Sequence, residues 1–231
     1  EARTYLSFSL FVARWARPVR SCRALLDRAF DAANRVGDYS FGAFACNITV
    51  SNLLFAGERL PDVQREAERG LAYARKVHFG LVIDFIENQL ALIRMLRGLT
   101  PVFGCLDSEQ FNESDAEHHV SKTSPVLTCC FWIRKLQARY LAGDFTSAIE
   151  AAALAQPLLE VSHSFLEEAE YYLYDALARA GLCASNSSDD RQQHLTVLNA
   201  HHQKLRAWAD ICPENFASHK ALVGAEIARI E

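Results

Sequence analysis

The stretch Tyr140–Ala155, YLAGDFTSAIEAAALA, contains the end of one helical pattern, a tight turn and the start of the next. Gly143–Asp144 interrupts the pattern, because glycine accepts the left-handed conformation at a helix end and aspartate can cap the following helix. Ala148, Ala152 and Ala155 then recur at helical spacing. Such small side chains let paired helices approach closely. The stretch therefore predicts an antiparallel helical hairpin.

Similar interruptions recur along the chain. Apolar residues spaced three and four positions apart occur almost everywhere, whereas the alternation typical of a strand is scarce, so the sequence predicts an all-α fold. Gly37–Asp38 and Gly57 interrupt the helical spacing, and Pro18 cannot lie inside a helix. Because the turns are short, we expect about ten helices whose neighbours pack antiparallel.

The carboxyl-terminal part has the clearest helix boundaries. The longest helix is predicted over Asp190–Ile211, Pro213 ends it, and a final helix follows over Phe216–Ile230. We expect Trp208 and Phe216 to be buried where these two helices meet. Their rings would then seal the end of a stack of helices.

Part of the pattern resembles the tetratricopeptide repeat, a helical hairpin of about 34 residues. Gly143–Phe145 and the alanines after it fit the second half of such a repeat, and Gly37–Tyr39 resembles it more weakly. The equivalent turns at Pro18 and Pro61, however, lie 43 positions apart. We therefore expect a tetratricopeptide-like α-solenoid of antiparallel helical hairpins with a carboxyl-terminal capping helix. An α bundle of another kind is the alternative.

Residues 1–231 are expected to form a single helical-repeat domain. Because Glu1 is not a methionine and the first residues already have helical spacing, we expect the chain to be a piece of a longer polypeptide. Cys183–Ser188 is rich in small polar residues and is predicted to be a linker between helices.

Residues 100–124 break the helical rhythm. They contain five acidic residues between Asp107 and Glu117, with no intervening Lys or Arg. The pattern predicts a long, exposed acidic loop with one short helix. Ser114 and Glu117 have the spacing of a capping box, so we expect that helix to begin there.

Composition excludes several classes of partner. Half of the residues are hydrophobic, and the formal net charge of -4 is too close to neutral to indicate a nucleic-acid partner. No run of about 18 apolar residues is free of charge, so no membrane span is predicted. The seven cysteines are odd in number and include no C-x-x-C pair, which is typical of reduced, buried thiols in a cytoplasmic protein.

The sequence contains no recognisable catalytic, cofactor-binding or metal-binding motif. It lacks the glycine-rich motifs that hold phosphates and the catalytic loop of protein kinases, so we expect no enzyme activity and no cofactor in this segment. His194 and His201 fall about two helical turns apart. No carboxylate or thiol lies between them to complete a ligand set, so we expect no metal.

Carboxylates are concentrated at Glu167, Glu168 and Glu170. Such a cluster could serve acid–base chemistry, but it also falls in the first turn of a predicted helix, where the backbone dipole stabilises negative charge. Ser164 and Glu167 have capping-box spacing, which favours the structural interpretation. We therefore expect these carboxylates to have no catalytic role.

One charged pattern suggests a partner. Arg14, Arg17, Arg20 and Arg23 repeat every three residues across the Pro18 turn, with few acids nearby. A basic ridge of this kind could dock an acidic protein surface or a neighbouring domain, so these four residues are the candidate partner contacts. The alternative is that they are ordinary solvated arginines.

Several stretches share their packing motifs with a known family. They are Leu205–Arg229, LRAWADICPENFASHKALVGAEIAR, together with Tyr5–Trp15, Gly37–Tyr39, Tyr140–Phe145 and Glu168–Tyr172. These stretches resemble the helical domain of large multidomain signalling kinases. In that family a serine/threonine-kinase-like domain and an AAA-type ATPase module precede the helices, and a GAF sensor and usually a histidine kinase follow. No catalytic residue of the family falls in this segment.

The resemblance implies a non-enzymatic scaffold that binds a partner protein or a neighbouring domain and relays signals within a multidomain ATPase and sensor kinase. The alternative is a small-molecule sensor with a ligand pocket between helical hairpins, lined by the aromatic side chains of Phe44, Tyr73, Phe85, Trp132 and Tyr171. An enclosed cavity with convergent polar groups would indicate the sensor. An open groove would indicate the scaffold.

Overall fold

The regular structure of this chain is helical. The computed structural model describes residues 1–183 and 188–231, and within these ranges there is no β-strand. The all-α prediction is therefore confirmed. None of the helices in the same two ranges is long and apolar enough to cross a membrane. Most of the predicted linker Cys183–Ser188 lies outside the described residues.

The helices follow one another with mostly short connections. In chain order they are α1 (Ala2–Phe8), α2 (Arg14–Ala16), α3 (Arg23–Val36), α4 (Tyr39–Phe55), α5 (Leu60–Lys76), α6 (Gly80–Leu96), α7 (Glu113–Thr123), α8 (Pro125–Leu141), α9 (Phe145–Ala155), α10 (Leu166–Leu182), α11 (Ser188–Ile211) and α12 (Pro213–Ile230). A π-helical turn, Ser9–Ala13, joins α1 to α2. Short 3-10 helices cover Val19–Cys22 and Gln156–Ser162. The longest of these helices is α11, and it ends before Pro213, as the sequence predicted. The last helix begins at Pro213 rather than at the predicted Phe216, because proline is favoured in the first turn of a helix.

Helices that are neighbours in sequence form the main packing pairs. The most extensive contacts join α8 with α9, α11 with α12, α3 with α4, α5 with α6 and α10 with α11. Gly37 and Gly143 adopt left-handed φ angles of 73° and 80° at the turns that reverse the chain. Asp144 caps α9 by accepting a hydrogen bond of 3.1 Å from the Ser147 amide. The hairpin predicted from Tyr140–Ala155 is therefore present.

Small residues set the distance between the later helices. Ala148, Ala152 and Ala155 are completely buried in a cluster shared by α8, α9 and α10. Gly181 of α10 lies against the ring of Phe145, where an added Cβ would come within 2.6 Å of ring carbons. The close approach of these helices therefore depends on side chains no larger than a methyl group.

The two ends of the chain contact each other. Phe216 is fully buried, and its ring stacks on that of Trp15 with centroids 5.4 Å apart. Trp208 lies beside both rings and remains partly exposed. The carboxyl-terminal aromatic residues therefore pack against the amino-terminal helix as well as between α11 and α12.

The side chain of Asn215 fixes this junction. Its Oδ1 accepts a hydrogen bond from the Val19 amide at 2.9 Å, and its Nδ2 donates to the carbonyl oxygens of Arg14 at 2.8 Å and Arg17 at 2.9 Å. These carbonyls and this amide lie where Pro18 interrupts the helix and leaves backbone groups unpaired. Asn215 supplies the missing partners.

The segment 100–124 is only partly the exposed acidic loop that the sequence predicted. Its helix, α7, begins after Asn112, whose side chain accepts a 2.8 Å hydrogen bond from the Asp115 amide, so the predicted capping box at Ser114 is wrong. Leu106 is fully buried, and Glu113 is buried as well.

Cations on α8 explain the burial of Glu113. Its carboxylate binds Lys135 at 3.0 Å and also contacts Arg139, and it accepts a hydrogen bond from the Leu106 amide. The partners of this acidic residue are therefore distant in sequence. Charges counted within residues 100–124 alone therefore cannot identify these partners.

Candidate functional site

An apolar cleft of about 350 Å³ opens between α1, α4 and α6. Its apolar walls include Leu6, Leu10, Phe41, Phe44, Leu81 and Phe165. Ser7 of α1 lies at the mouth of the cleft and is exposed to solvent. A cavity of this volume, lined mostly by apolar and aromatic side chains, is typical of a small-molecule site.

The π-helical turn Ser9–Ala13 forms part of one wall, through Leu10 and Phe11. Arg14 follows the turn, is completely buried, and donates from Nε to the Leu10 carbonyl at 2.9 Å. Burial lowers the pKa of Arg14 to about 10, although Glu167 partly opposes this effect. The guanidinium therefore remains charged at neutral pH.

Arg14 also ties this wall to the rest of the fold. Its Nη2 donates to the Ser164 carbonyl at 3.0 Å, and its Nη1 lies 3.4 Å from Oδ1 of Asn52. The indole of Trp15 donates to the same Ser164 carbonyl at 2.9 Å. All three nitrogens of the Arg14 guanidinium group are therefore engaged within the protein.

A polar cavity adjoins the apolar cleft. A small cavity of about 10 Å³ shares four lining residues with the apolar cleft: Asn47, Ile48, Phe85 and Phe165. Its remaining lining includes Ser51, Asn88, Gln89, Arg134 and Glu167, which we call the polar floor. A volume of this size holds about one water-sized group.

Arg134 of α8 is the centre of a buried ion-pair network. Its guanidinium binds Glu167 at 2.7 Å and also pairs with Glu170, both on α10. Ser51 of α4 donates a hydrogen bond of 2.6 Å to Glu167. The prediction that the glutamates of α10 are first-turn residues stabilised by the helix dipole is therefore incomplete. Two of them point into the molecule and neutralise a buried cation.

The protonation of this network follows from its contacts. Burial raises the pKa of Glu167, but Arg134, Arg14 and the Ser51 hydroxyl outweigh burial and hold that pKa below its ordinary value. Burial, together with repulsion from Glu167, leaves the pKa of Glu170 above its ordinary value. Burial lowers the pKa of Arg134, but the two carboxylates more than offset it and raise that pKa overall.

Several polar atoms around the floor have no hydrogen-bond partner in the described part of the protein. They are Oδ1 and Nδ2 of Asn88, Oε1 of Gln89 and Oε2 of Glu167. Asn88 is only 2 % exposed, and Gln89 only 4 %. Leaving a buried donor or acceptor unpaired costs about 1–3 kcal/mol. Groups of this kind are normally paired with water or with a ligand.

The sequence analysis missed the polar floor. Asn47 and Ser51 lie one helical turn apart on α4, and Asn88 and Gln89 lie in the middle of α6, which is otherwise largely apolar. Gln89 donates to Oδ1 of Asn47 at 3.0 Å. Polar residues inside two apolar helices were the available signal. Their pairing across helices requires the tertiary structure.

The aromatic residues predicted to line a ligand pocket divide into two groups. Phe44 and Phe85 do line the cleft. Tyr73 instead packs on Phe30 and donates to Asn34, and Trp132 and Tyr171 belong to the cluster between α8, α9 and α10. The predicted set therefore identified two walls of the cleft, while its other members are packing residues.

The predicted basic ridge is not a single exposed surface. Arg14 is buried, so its inclusion as a partner contact is wrong. Arg20 pairs with Glu58 at 2.7 Å, and Arg23 pairs with two acids, Asp27 and Glu66. Arg17 is exposed, with its guanidinium over the ring of Phe8. A partner role for Arg17, Arg20 and Arg23 remains a prediction.

His201, Cys129 and Cys130 belong to the packing of the helices. Within residues 1–183 and 188–231 no cluster of three or more His, Cys, Asp or Glu side chains could hold a metal ion. His201 instead lies 2.7 Å from the buried carboxylate of Asp175, which also binds Arg179. Cys129 and Cys130 are buried free thiols, and burial raises the pKa of Cys129 to about 11.

Comparison with known proteins adds no relative. No protein family, no curated protein and no solved structure significantly matches this chain. The resemblance to the helical domain of the signalling kinases therefore remains a prediction.

Proposed function

We propose that this chain is a non-enzymatic sensor domain that binds a small, largely apolar molecule in the cleft between α1, α4 and α6. The observation that carries the proposal is the apolar cleft together with an adjoining polar cavity, where both amide atoms of Asn88 and Oε1 of Gln89 are buried without a hydrogen-bond partner among the described residues. Apolar walls with a few convergent polar groups are typical of ligand pockets. Of the two functions predicted from the sequence, this arrangement favours the small-molecule sensor.

We propose that the wall formed by α1 and the π-helical turn transmits ligand binding from the cleft to the contact between the two ends of the chain. Single π-helical turns inside α-helices are frequent at functional sites. This turn leads directly to Arg14 and Trp15. Both side chains donate to the Ser164 carbonyl, and the ring of Trp15 also stacks on that of Phe216. A ligand that binds one arrangement of the wall more tightly than another shifts the population toward it. The contact between Trp15 and Phe216 would then change with that shift.

We further propose that the domain acts in a cytoplasmic, multidomain signalling kinase, between an AAA-type ATPase module and a GAF sensor. The stretches that resemble the helical domain of these kinases support this context. Two of the stretches that carry it, Tyr5–Trp15 and Leu205–Arg229, contact each other through Trp15 and Phe216. The sequence-neighbouring helix pairs support a tetratricopeptide-like stack of hairpins as the finer description of the fold.

A direct test is to obstruct the cleft at its mouth. Ser7→Trp places a large ring at an exposed position on the cleft wall, whereas Thr4→Trp makes the same change at an exposed position of α1 outside the lining. Titration with the neutral dye N-phenyl-naphthylamine measures binding by its fluorescence. We expect saturable binding to the parent chain and to Thr4→Trp, and binding about tenfold weaker, about 1.4 kcal/mol, to Ser7→Trp. Equal affinity of all three proteins would refute the proposal.

The scaffold remains the second candidate function, because one surface favours it. Leu99, Val102 and Phe103 are all at least half exposed and lie close together in sequence, after α6. Exposed apolar patches often mark protein interaction sites. The test is binding between this chain and an AAA-type ATPase module or a GAF domain, the neighbours in the proposed context, expressed as separate polypeptides. Replacing Val102 and Phe103 with Ser should weaken that binding and leave dye binding unchanged.

A further inference from the structure

We infer that the ligand of the cleft carries one uncharged, hydroxyl-sized head group that enters the polar floor and hydrogen-bonds to Asn88 and Gln89. This inference rests on the proposed function, since it names the chemistry of the molecule that the cleft binds. Three observations support it: the charge balance of the floor, its size, and the kinds of atoms left unpaired.

The fixed charges around the floor already balance. Arg14 and Arg134 are the buried cations, and Glu167 and Glu170 are the buried anions. Burial raises the pKa of the Cys130 thiol well above its ordinary value, so this lining residue is neutral. The described lining holds no further charged side chain. A charged head group would therefore be buried without a counter-ion, which is strongly unfavourable.

The cations are also occupied by protein acceptors. Arg14 donates to the Leu10 and Ser164 carbonyls and to Asn52, and Arg134 donates to Gln137 as well as to its two carboxylates. A ligand carboxylate in the floor would thus meet the free oxygens of Gln89 and Glu167 rather than a free donor on either arginine. A ligand ammonium would share the site with two guanidinium groups.

The size and the unpaired atoms select a hydroxyl. The floor has room for about one water-sized group. Its unpaired atoms include a donor, Nδ2 of Asn88, and acceptors on Asn88, Gln89 and Glu167. A hydroxyl donates one hydrogen bond and accepts two, so it can satisfy both kinds. The assignment of oxygen and nitrogen in the Asn88 amide does not affect this argument, because both atoms are unpaired.

The experiment compares four ligands that share an octyl chain: octanol, octanoate, octylammonium and chlorooctane. Each displaces N-phenyl-naphthylamine from the chain in a competition titration. We expect octanol to bind about tenfold more tightly than each of the others. Equal binding of octanoate or octylammonium would overturn the uncharged head group. Equal binding of chlorooctane would mean that the floor holds only water, and would also overturn the inference.

Failure of the inference is distinguishable from failure of the proposed function. If the dye binds and chlorooctane displaces it as well as octanol does, the apolar cleft is a binding site but its floor does not select the head group. If neither the dye nor any octyl compound binds, the sensor function itself is wrong.

Substitution of Asn88 gives an independent test. In Asn88→Leu we expect the preference for octanol over chlorooctane to disappear while chlorooctane still binds. In Asn88→Asp we expect octylammonium to become the preferred ligand, because the substitution adds an unbalanced anion to the floor. Asn199→Leu, at an exposed asparagine of α11, is the control and should keep the preference for octanol. An unchanged preference in folded Asn88→Leu, checked by circular dichroism, would refute the role of Asn88.

Discussion

The ring of Trp15 stacks on the ring of Phe216, with 5.4 Å between centroids and 17° between planes, although the two residues lie at opposite ends of the chain. Offset aromatic pairs contribute about 0.5–1.5 kcal/mol beyond the area that they bury. Through this contact and the neighbouring ring of Trp208, α2 packs against α11 and α12. The stability of the whole domain should therefore depend on side chains near both ends.

The first prediction concerns Phe216. Because this side chain is fully buried among Trp15, Trp208 and Phe55, Phe216→Ala should lower the free energy of unfolding by about 3–5 kcal/mol. Urea denaturation measures the change. Leu222→Ala on the same helix removes a half-exposed side chain and should cost much less. A similar small cost for both variants would show that the junction is not a packed core.

The second prediction concerns Asn215. Asn215→Ala leaves the Val19 amide and the carbonyls of Arg14 and Arg17 without their side-chain partner. Each unpaired buried polar group costs about 1–3 kcal/mol. We therefore expect the free energy of unfolding, measured by thermal or urea denaturation, to fall by at least the cost of one such group. Asn199→Ala, which removes an exposed amide, should be nearly neutral. Amide hydrogen exchange should speed up at Val19 in Asn215→Ala alone.

The third prediction concerns the buried ion-pair network. Arg134→Met removes the cation between Glu167 and Glu170 and should destabilise the fold by about 3–5 kcal/mol, because buried carboxylates lose their counter-ion. Adding Glu170→Gln to Arg134→Met removes one anion together with the cation and leaves Glu167 opposite Arg14, so the buried charges balance again. This double variant should recover much of the loss in urea denaturation. If it is no more stable than Arg134→Met, lost packing rather than charge is the cause.

The fourth prediction is a pH dependence that arises from His219. Burial against Phe55 and Phe216 lowers the pKa of His219 below 6.5, although a hydrogen bond with the Asn215 carbonyl opposes the shift. As the pH falls below about 7, the unfolded state therefore binds a proton before the folded state does, and the free energy of unfolding decreases. His219→Phe should flatten this dependence between about pH 7 and 5.

A matched control separates His219 from the other histidines. His118 is exposed on α7, so His118→Phe makes the same change without altering the packing around His219. Urea unfolding at several pH values measures both variants. A His219→Phe protein whose stability falls with pH as steeply as that of the parent would contradict the assignment.

The sequence predicted those features of the fold that are set locally. Gly143 and Pro213 interrupt helices through their own backbone geometry, whatever surrounds them, and both lie at the helix boundaries that the pattern indicated. The alanines after Asp144 pack as expected, because helical spacing alone places them on one face.

The candidate site could not be predicted in the same way, because its residues are paired by contacts between distant helices. Arg14 looked like one member of an exposed basic series, yet Asn52 and the Ser164 carbonyl hold it inside the protein. Glu167 looked like a helix-cap residue, yet Arg134 and Ser51 bind it. Sequence spacing describes one helix at a time, and it does not show which helices face each other.

The bridge from Asn215 to the backbone around Pro18 also affects the order in which the chain can fold during synthesis. The backbone around Pro18 is synthesised well before its partners Asn215 and Phe216, because Arg14 and Asn215 are separated by 201 positions in the sequence. Trp15 therefore lacks this stacking partner until α12 has been translated. Completion of the native packing must wait for the final helix, whereas an open array of repeats could fold progressively from its first hairpin.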